Sequence, residues 1–226
     1  MSIAANLKEI NSRIHKAAEA AGRKPEAVKL ITVTKTVAVE RIEEALACGV
    51  KAVGENRVQE AKSKYPCLPN DLEWHLIGSL QTNKVKDVIP IFSWIHSVDR
   101  KNLADEISRQ CLKAGKTIKV LVQVNISGEA SKHGIDNEAA EDLILYVSRL
   151  PGLDLRGLMT IGPLAAEEDE IRQAFRGLKN LADKMNRQYD LNLQELSMGM
   201  TDDFEIAIAE GATMVRIGSG IFGARY

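Results

Sequence analysis

Cysteine is scarce: the 226 residues hold three, Cys48, Cys67 and Cys111, far apart in the chain. None belongs to a C-x-x-C pair or to a His cluster at metal-ligand spacing, so neither a zinc site nor a disulfide framework is expected, and the compartment reads as reducing. Cys48 and Cys111 fall on apolar helical positions, where a thiol serves as a small buried hydrophobe. Net charge is nearly absent as well: 30 Lys and Arg against 31 Asp and Glu leave −1. A nucleic-acid binder carries a basic footprint, so no nucleic-acid partner is expected. No run approaches the ~18 apolar residues of a membrane span. The N-terminus has no apolar signal core, and Glu9 and Glu19 interrupt the basic series Lys8, Arg13 and Lys16 that a transit peptide would need. Repeats, linkers and low-complexity tracts are missing too. With 45% hydrophobic and 27% charged residues, the composition is that of an ordinary soluble globular protein. One cytoplasmic, monomeric domain over residues 1–226 is the expectation.

What is present is a regular alternation. Ile3, Leu7, Ile10, Ile14, Ala17 and Ala21 recur at steps of four and three until Gly22 and Pro25, which predicts an amphipathic N-terminal helix. Eight short apolar runs follow: 30–35, 51–55, 73–78, 94–98, 118–125, 153–161, 194–198 and 214–218. Helical patterns separate them at 39–47, 57–64, 84–92, 103–114, 138–150, 167–188 and 204–210. Near-continuous apolar strands joined by helical crossovers form a parallel sheet covered by helices. Eight such units predict a lean α/β fold, a (β/α)8 TIM-type barrel with an extra N-terminal helix; a doubly wound open sheet is the alternative. The acidic run Glu167 to Glu170 reads as a helix start, where carboxylates suit the macrodipole.

A barrel places function at the C-terminal ends of its strands. There Lys35 follows Leu30-Ile31-Thr32-Val33-Thr34, and alternation puts it on the face of Ile31 and Val33, the barrel interior. An inward lysine is disfavoured when charged, which favours the free amine and Schiff-base chemistry; a strand that ends one residue earlier leaves it solvated instead. Gly218, Gly220 and Gly223 spell a formal G-x-G-x-x-G. Only Ala224, Arg225 and Tyr226 remain beyond it, too few for a dinucleotide fold. What survives is a glycine-rich turn after strand eight, there either for phosphate or only for tight turning. Ser197 to Thr201 brings hydroxyls to the same corner. Arg216 shares a face with Met214 and Gly218, so it points inward and needs an anionic or polar partner. His75 and Asn56, near the ends of strands three and two, read as site-lining or as structural groups. Arg57, Lys62, Lys64, Lys84 and Lys86 read as a solvated face.

These residues resemble the pyridoxal phosphate homeostasis family. The matching motifs are Val33-Thr34-Lys35-Thr36, Gly54 to Glu60, Trp74 to Lys84, Gln123 to Glu129, Arg156 to Ile161, Ser197 to Met200 and Met214 to Arg225, which together span nearly the whole chain. Thr201 stands where the family pattern has Ser, and His133 where Ser131-Lys132-His133-Gly134 has Phe. The resemblance implies a barrel like the N-terminal domain of alanine racemase, with pyridoxal 5'-phosphate (PLP) on Lys35 as an aldimine. It also implies Arg216 facing the pyridine nitrogen, Ser197, Gly218 and Ser219 holding the phosphate, and Asn56 and His75 near the cofactor. No metal is implied. An arginine at that nitrogen weakens the cofactor as an electron sink, and the second domain of alanine racemase has no counterpart before Tyr226. The implied role is therefore intracellular PLP and amino-acid homeostasis without catalytic turnover, with PLP-dependent apoenzymes as recipients. A racemase or another lysine Schiff-base enzyme is the alternative, and a regulatory partner-binding protein a third.

Overall fold

The computed structural model describes residues 2–129, 133–163 and 166–223. Ser131 and Lys132 of the family loop, and Ala224, Arg225 and Tyr226 after the glycine turn, lie outside them. The chain opens with α1 (Ile3–Ala20), whose N-cap Ser2 accepts the Ala5 amide at 3.2 Å. Its buried face is Ile3, Leu7, Ile10, Ile14 and Ala18, and each large member contributes roughly 1.5–3 kcal/mol on burial. Strands and helices then alternate: β1 (Lys29–Val33), α2 (Val39–Ala47), β2 (Ala52–Glu55), α3 (Val58–Lys64), β3 (Glu73–Leu76), α4 (Val85–Val88), β4 (Trp94–Val98) and α5 (Lys101–Ala114). The second half holds β5 (Ile118–Asn125), β6 (Ile135–Asp136), α6 (Asn137–Val147), β7 (Leu153–Met159), α7 (Glu168–Tyr189), β8 (Glu195–Ser197), α8 (Phe204–Ala209), β9 (Met214–Ile217) and α9 (Ser219–Phe222).

The sheet runs β4-β3-β2-β1-β9-β8-β7-β5-β6, and β4 also pairs with β5. That last pairing closes eight strands into the expected parallel barrel, with β6 a two-residue addition on β5. Register is set by the alternation: Ile31 lies opposite Arg216, and Thr32 opposite Val53. Two apolar clusters result. The larger lies between strands and helices, while a smaller one of Ile31, Ala52, Trp94, Leu121, Met159 and Met214 draws one residue from each of six strands and fills the bore.

Several expectations are corrected. The helix expected over 84–92 is only Val85–Val88 after a 3-10 turn at Thr82–Lys84, because Pro90 has no amide to continue the ladder. Strand one ends at Val33, two residues before Lys35. Cys48 is exposed, since α2 stops at Ala47 and its cap leaves the buried face; Cys111 is buried as expected. At the acidic run, the Glu167 amide donates to Glu170 Oε2 at 3.3 Å, so those carboxylates do cap α7. Among the described residues, no helix is long and apolar enough to cross a membrane.

Candidate functional site

At the C-terminal mouth of the barrel a cleft of about 500 Å³ is walled by Lys35, Asn56, Arg216, Gly218 and Ser219, with Val33, Met159 and Ile161 among its apolar lining. Five of the residues anticipated from sequence therefore meet in one place. Lys35 is half-buried just beyond β1. The chain turns sharply there: Thr36 has φ 62°, a left-handed value that is unusual for a β-branched residue, and its amide donates to Glu60 Oε1. Strain of this kind persists only where the surroundings impose it.

The surroundings are a buried cluster that sequence reasoning missed. Lys64, expected on a solvated face, is buried. Its ammonium donates to the Thr34 carbonyl at 2.7 Å, to Glu55 Oε1 at 2.8 Å and to Glu60 Oε1 at 2.6 Å. The Thr34 hydroxyl adds a bond to Glu55 Oε1 at 2.7 Å. Burial pushes the Glu55 carboxyl above its ordinary range, against the pull of Lys64 and Thr34. This cluster pins the peptide that carries Lys35. The only sequence signal was the i, i+4 spacing of Glu60 and Lys64 on α3, which an exposed pair shows equally.

Asn56 is fixed from behind by Gly78, where a Cβ would lie 2.4 Å from the Asn56 carbonyl oxygen, so glycine alone fits. Its Oδ1 is buried and has no hydrogen-bond partner among the described residues. Across the cleft, Gly218 caps α9, a four-residue helix too short to show a period in sequence. Ser219 Oγ donates to Thr201 Oγ1 at 3.0 Å, and the Gly220 amide reaches the same oxygen at 3.4 Å. Thr201, Met200 and Asp202 complete this wall.

Arg216 crosses the floor. It is 5% exposed, donates from Nη1 to Ser197 Oγ at 2.7 Å and from Nη2 to the Thr160 carbonyl at 2.9 Å. Burial brings its pKa down to about 10, partly offset by the charge of Asp203, so it remains a cation at neutral pH. Asp203, held by the Met200 amide at 2.6 Å, has its own pKa raised by burial.

Two anticipated site residues lie elsewhere. Ser197 is fully buried beneath Arg216, and its hydroxyl engages Arg216 and His96 rather than facing the cleft, because the last residue of β8 points into the bore. His75 is likewise inside the bore, stacked on Trp94 with ring centroids 5.5 Å apart and with Nδ1 2.9 Å from His96 Nε2. His96 carries no functional signal in the sequence, because no spacing links it to the other histidines.

Comparison with known proteins agrees with this architecture. Residues 5–226 match the family described as alanine racemase, N-terminal domain. The "Pyridoxal phosphate homeostasis protein" of Aquifex aeolicus is 47% identical over 226 residues, covering 100% of this chain and 99% of its own. The structure of PipY from Synechococcus elongatus with PLP bound superposes with a TM-score of 0.87 at 37% identity, covering 98% of this chain and 100% of PipY. An alanine racemase of Clostridium difficile shares the fold alone, with a TM-score of 0.78 at 20% identity over 97% of this chain and 57% of the racemase. On its barrel, its motifs and these full-length likenesses, the chain belongs to the pyridoxal phosphate homeostasis protein family, within the alanine racemase N-terminal domain family.

Proposed function

We propose that this protein binds PLP in the cleft at the C-terminal mouth, holds it on Lys35 as a Schiff base, and serves cytoplasmic vitamin B6 and amino-acid homeostasis as a single-barrel, monomeric carrier. The observation that carries the reading is the convergence of Lys35 and Arg216 on one cleft whose far wall is the Gly218-Ser219 turn. The donor set fits the cofactor. Lys35 brings the amine, the unpartnered Asn56 Oδ1 awaits a donor such as a ring hydroxyl, and the turn with Thr201 offers amides and hydroxyls to a phosphate. The cofactor supplies an aldehyde and an electron-withdrawing ring when bound. Guanidinium only donates hydrogen bonds, so a ring nitrogen facing Arg216 accepts and stays unprotonated. The PLP seen in PipY and the name of the Aquifex relative support the same assignment.

The carrier reading rests on what faces the amine. Among the described residues, the titratable groups lining the cleft besides Lys35 are Asp202 and Arg216. Racemisation requires a positioned acid and base on opposite faces of the substrate carbon. Neither an exposed aspartate nor a guanidinium fixed to Ser197 and Thr160 supplies that second group. PLP-dependent apoenzymes are the recipients in this reading.

The test is the visible spectrum of purified protein with PLP before and after borohydride, followed by mass mapping of the reduced lysine. Modification of Lys35 supports the assignment, and modification of another lysine refutes it. Pyridoxal without phosphate should bind far more weakly than PLP; equal affinity would reduce the glycine turn to a turn. Incubation with L-alanine in deuterated water should give no catalytic exchange of the α-proton. Rapid exchange that depends on Lys35 would instead establish a racemase or another Schiff-base enzyme.

A further inference from the structure

The bore of the barrel has an apolar side and a polar side, and the polar side is hydrogen-bonded from Arg216 to His75 and reaches Glu73 through a longer contact. From the cleft downward it runs Arg216 Nη1 to Ser197 Oγ (2.7 Å), Ser197 Oγ to His96 Nδ1 (2.9 Å), His96 Nε2 to His75 Nδ1 (2.9 Å), and His75 Nε2 to Glu73 Oε2 (3.3 Å). The last step is an ion-pair distance rather than a well-formed hydrogen bond. Glu73 then accepts from Trp94 Nε1 at 2.7 Å and from Lys29 Nζ at 2.8 Å, at the N-terminal ends of the strands, where Glu73 and Lys29 also line a cavity of about 440 Å³ beneath α1. His75, His96 and Ser197 have no exposed surface.

Donor and acceptor counting gives this chain one direction. Arginine can only donate and a carboxylate can only accept. Burial depresses both imidazole pKa values, so each ring is neutral and carries one hydrogen. His75 must then present Nε2–H to Glu73, which leaves Nδ1 to accept from His96 Nε2–H. His96 Nδ1 must accept in turn, so the Ser197 hydroxyl donates to it and accepts from Arg216. Reversing any inner link turns a lone pair of His75 toward the Glu73 carboxylate.

Packing does not require such a chain. Ile31, Leu121, Met159 and Met214 fill the other side of the same bore without polar groups, whereas two buried imidazoles and a hydroxyl carry a desolvation penalty unless fully paired. The chain ends on Arg216, the residue that also lines the cleft.

We propose that Glu73, His75, His96 and Ser197 are positioning residues for Arg216: a one-way polar chain, hydrogen-bonded from Arg216 to His75 and oriented by the close Glu73 carboxylate, that crosses the barrel from its N-terminal mouth and holds the guanidinium toward the ring of the bound cofactor. The proposal rests on the reading of Arg216 as the partner of the ring nitrogen.

The experiment uses the full chain, the variants Glu73→Gln and His96→Gln, and two ligands: PLP and an analogue in which carbon replaces the ring nitrogen. Glu73 sits at a mouth, so Glu73→Gln empties no cavity. Unmodified protein should prefer PLP to the analogue, and both variants should weaken PLP about tenfold, the effect of losing a charge-assisted hydrogen bond, while leaving the analogue unchanged. A wild-type protein indifferent to the ring nitrogen refutes the Arg216 reading and the proposal with it. A wild type that discriminates, with variants that discriminate equally or lose both ligands alike, refutes the chain and leaves the Arg216 reading standing. Nitrogen NMR of the ligand-free imidazoles gives an independent measure. Both His75 and His96 should carry their hydrogen on Nε2 in the unmodified protein and show mixed tautomers in Glu73→Gln. Hydrogen on Nδ1 of either ring in the unmodified protein overturns the assigned direction.

Discussion

The two mouths of the barrel hold similar chemistry put to different ends. The N-terminal mouth gathers Lys29, Lys119, Glu73 and Trp94, and there the charges close on one another. Lys29 bonds Glu73 at 2.8 Å, and the two ammoniums lie 5.7 and 5.0 Å from the Trp94 ring. The C-terminal mouth gathers Lys35, Arg216, Asn56 and a glycine turn around a cleft, with Asn56 Oδ1 left unpartnered. A lysine near a strand end is thus no indicator by itself. The strand's C-terminal end, the converging second cation and an orphaned acceptor together distinguish a binding mouth from a closed one.

The largest test of that contrast replaces one lysine at each mouth. Lys35→Ala should abolish the borohydride-fixed PLP adduct while leaving the barrel folded, because the side chain lies beyond the strand and outside the packed clusters. Lys29→Ala should leave the adduct intact. Absorbance with circular dichroism as the folding control decides it; an adduct that survives Lys35→Ala or vanishes in Lys29→Ala breaks the distinction.

A lysine of the third kind sharpens the comparison further. Lys64 is buried with Glu55 beneath the Lys35 loop, and its side-chain exposure is 8% against 0% for its partner. Lys64→Met should destabilise by about 3 kcal/mol, since removing one member of a buried pair strands the other charge. The loss should appear as a lower denaturation midpoint at unchanged m-value. Glu55→Gln in the same background should recover part of it. No loss in Lys64→Met would mean that the cluster does not support the loop.

This cluster also marks how far the sequence reaches. Eight strands and their order of alternation are legible because burial on both faces writes itself as apolar runs, and Lys35 and Arg216 stand out as charges on an apolar face. Lys64 is not legible, because an i, i+4 pair with Glu60 looks the same exposed or buried, and only the packing of α3 back against the ends of β1 and β2 brings Glu55 and the Thr34 carbonyl to its ammonium. Ser197 shows the reverse error. Its position at a strand end is readable, but whether its hydroxyl turns up to the mouth or down to His96 depends on β4 and β8 meeting across the bore, a contact between residues 101 positions apart. The Ser219–Phe222 helix is hidden for another reason, since four residues cannot display a 3.6-residue period.

The polar bore linking the mouths predicts a pH signature of moderate size. His75 and His96 are held neutral by burial, with folded pKa values below the unfolded value. Their contribution is therefore fully present above about pH 6.5 and is lost as pH falls, because unfolding then takes up protons the folded state excludes. Each such group adds at most ~1.4 kcal/mol per pH unit below that point, and His96, the more strongly depressed, does so over the wider range. Glu73, depressed chiefly by its close contact with His75, adds loss in the same direction only below the ordinary carboxylate range. Denaturant titrations between pH 7.5 and 5 should show stability falling with pH, and His96→Gln should make that fall shallower. An identical slope in that variant would place the proton uptake elsewhere.

The smallest expected effect concerns the seal of the N-terminal mouth. Lys119 is exposed and holds its ammonium 5.0 Å from the Trp94 ring centroid without any ion-pair partner among the described residues within bonding distance. An exposed cation over an indole is worth about 0.5 kcal/mol, and Lys119→Ala should cost about that much. PLP binding should be unchanged, since the Arg216 end of the bore is connected to Glu73 through His75 and not through Lys119. Lys29→Ala should cost slightly more, because Lys29 also bonds Glu73, although exposure and salt limit what that pair contributes. Paired denaturation curves at low and at high salt separate the two: the Lys29 difference should shrink with salt more than the Lys119 difference. A Lys119→Ala variant that loses PLP affinity would show that the closed mouth is coupled to the open one by a route other than the histidines.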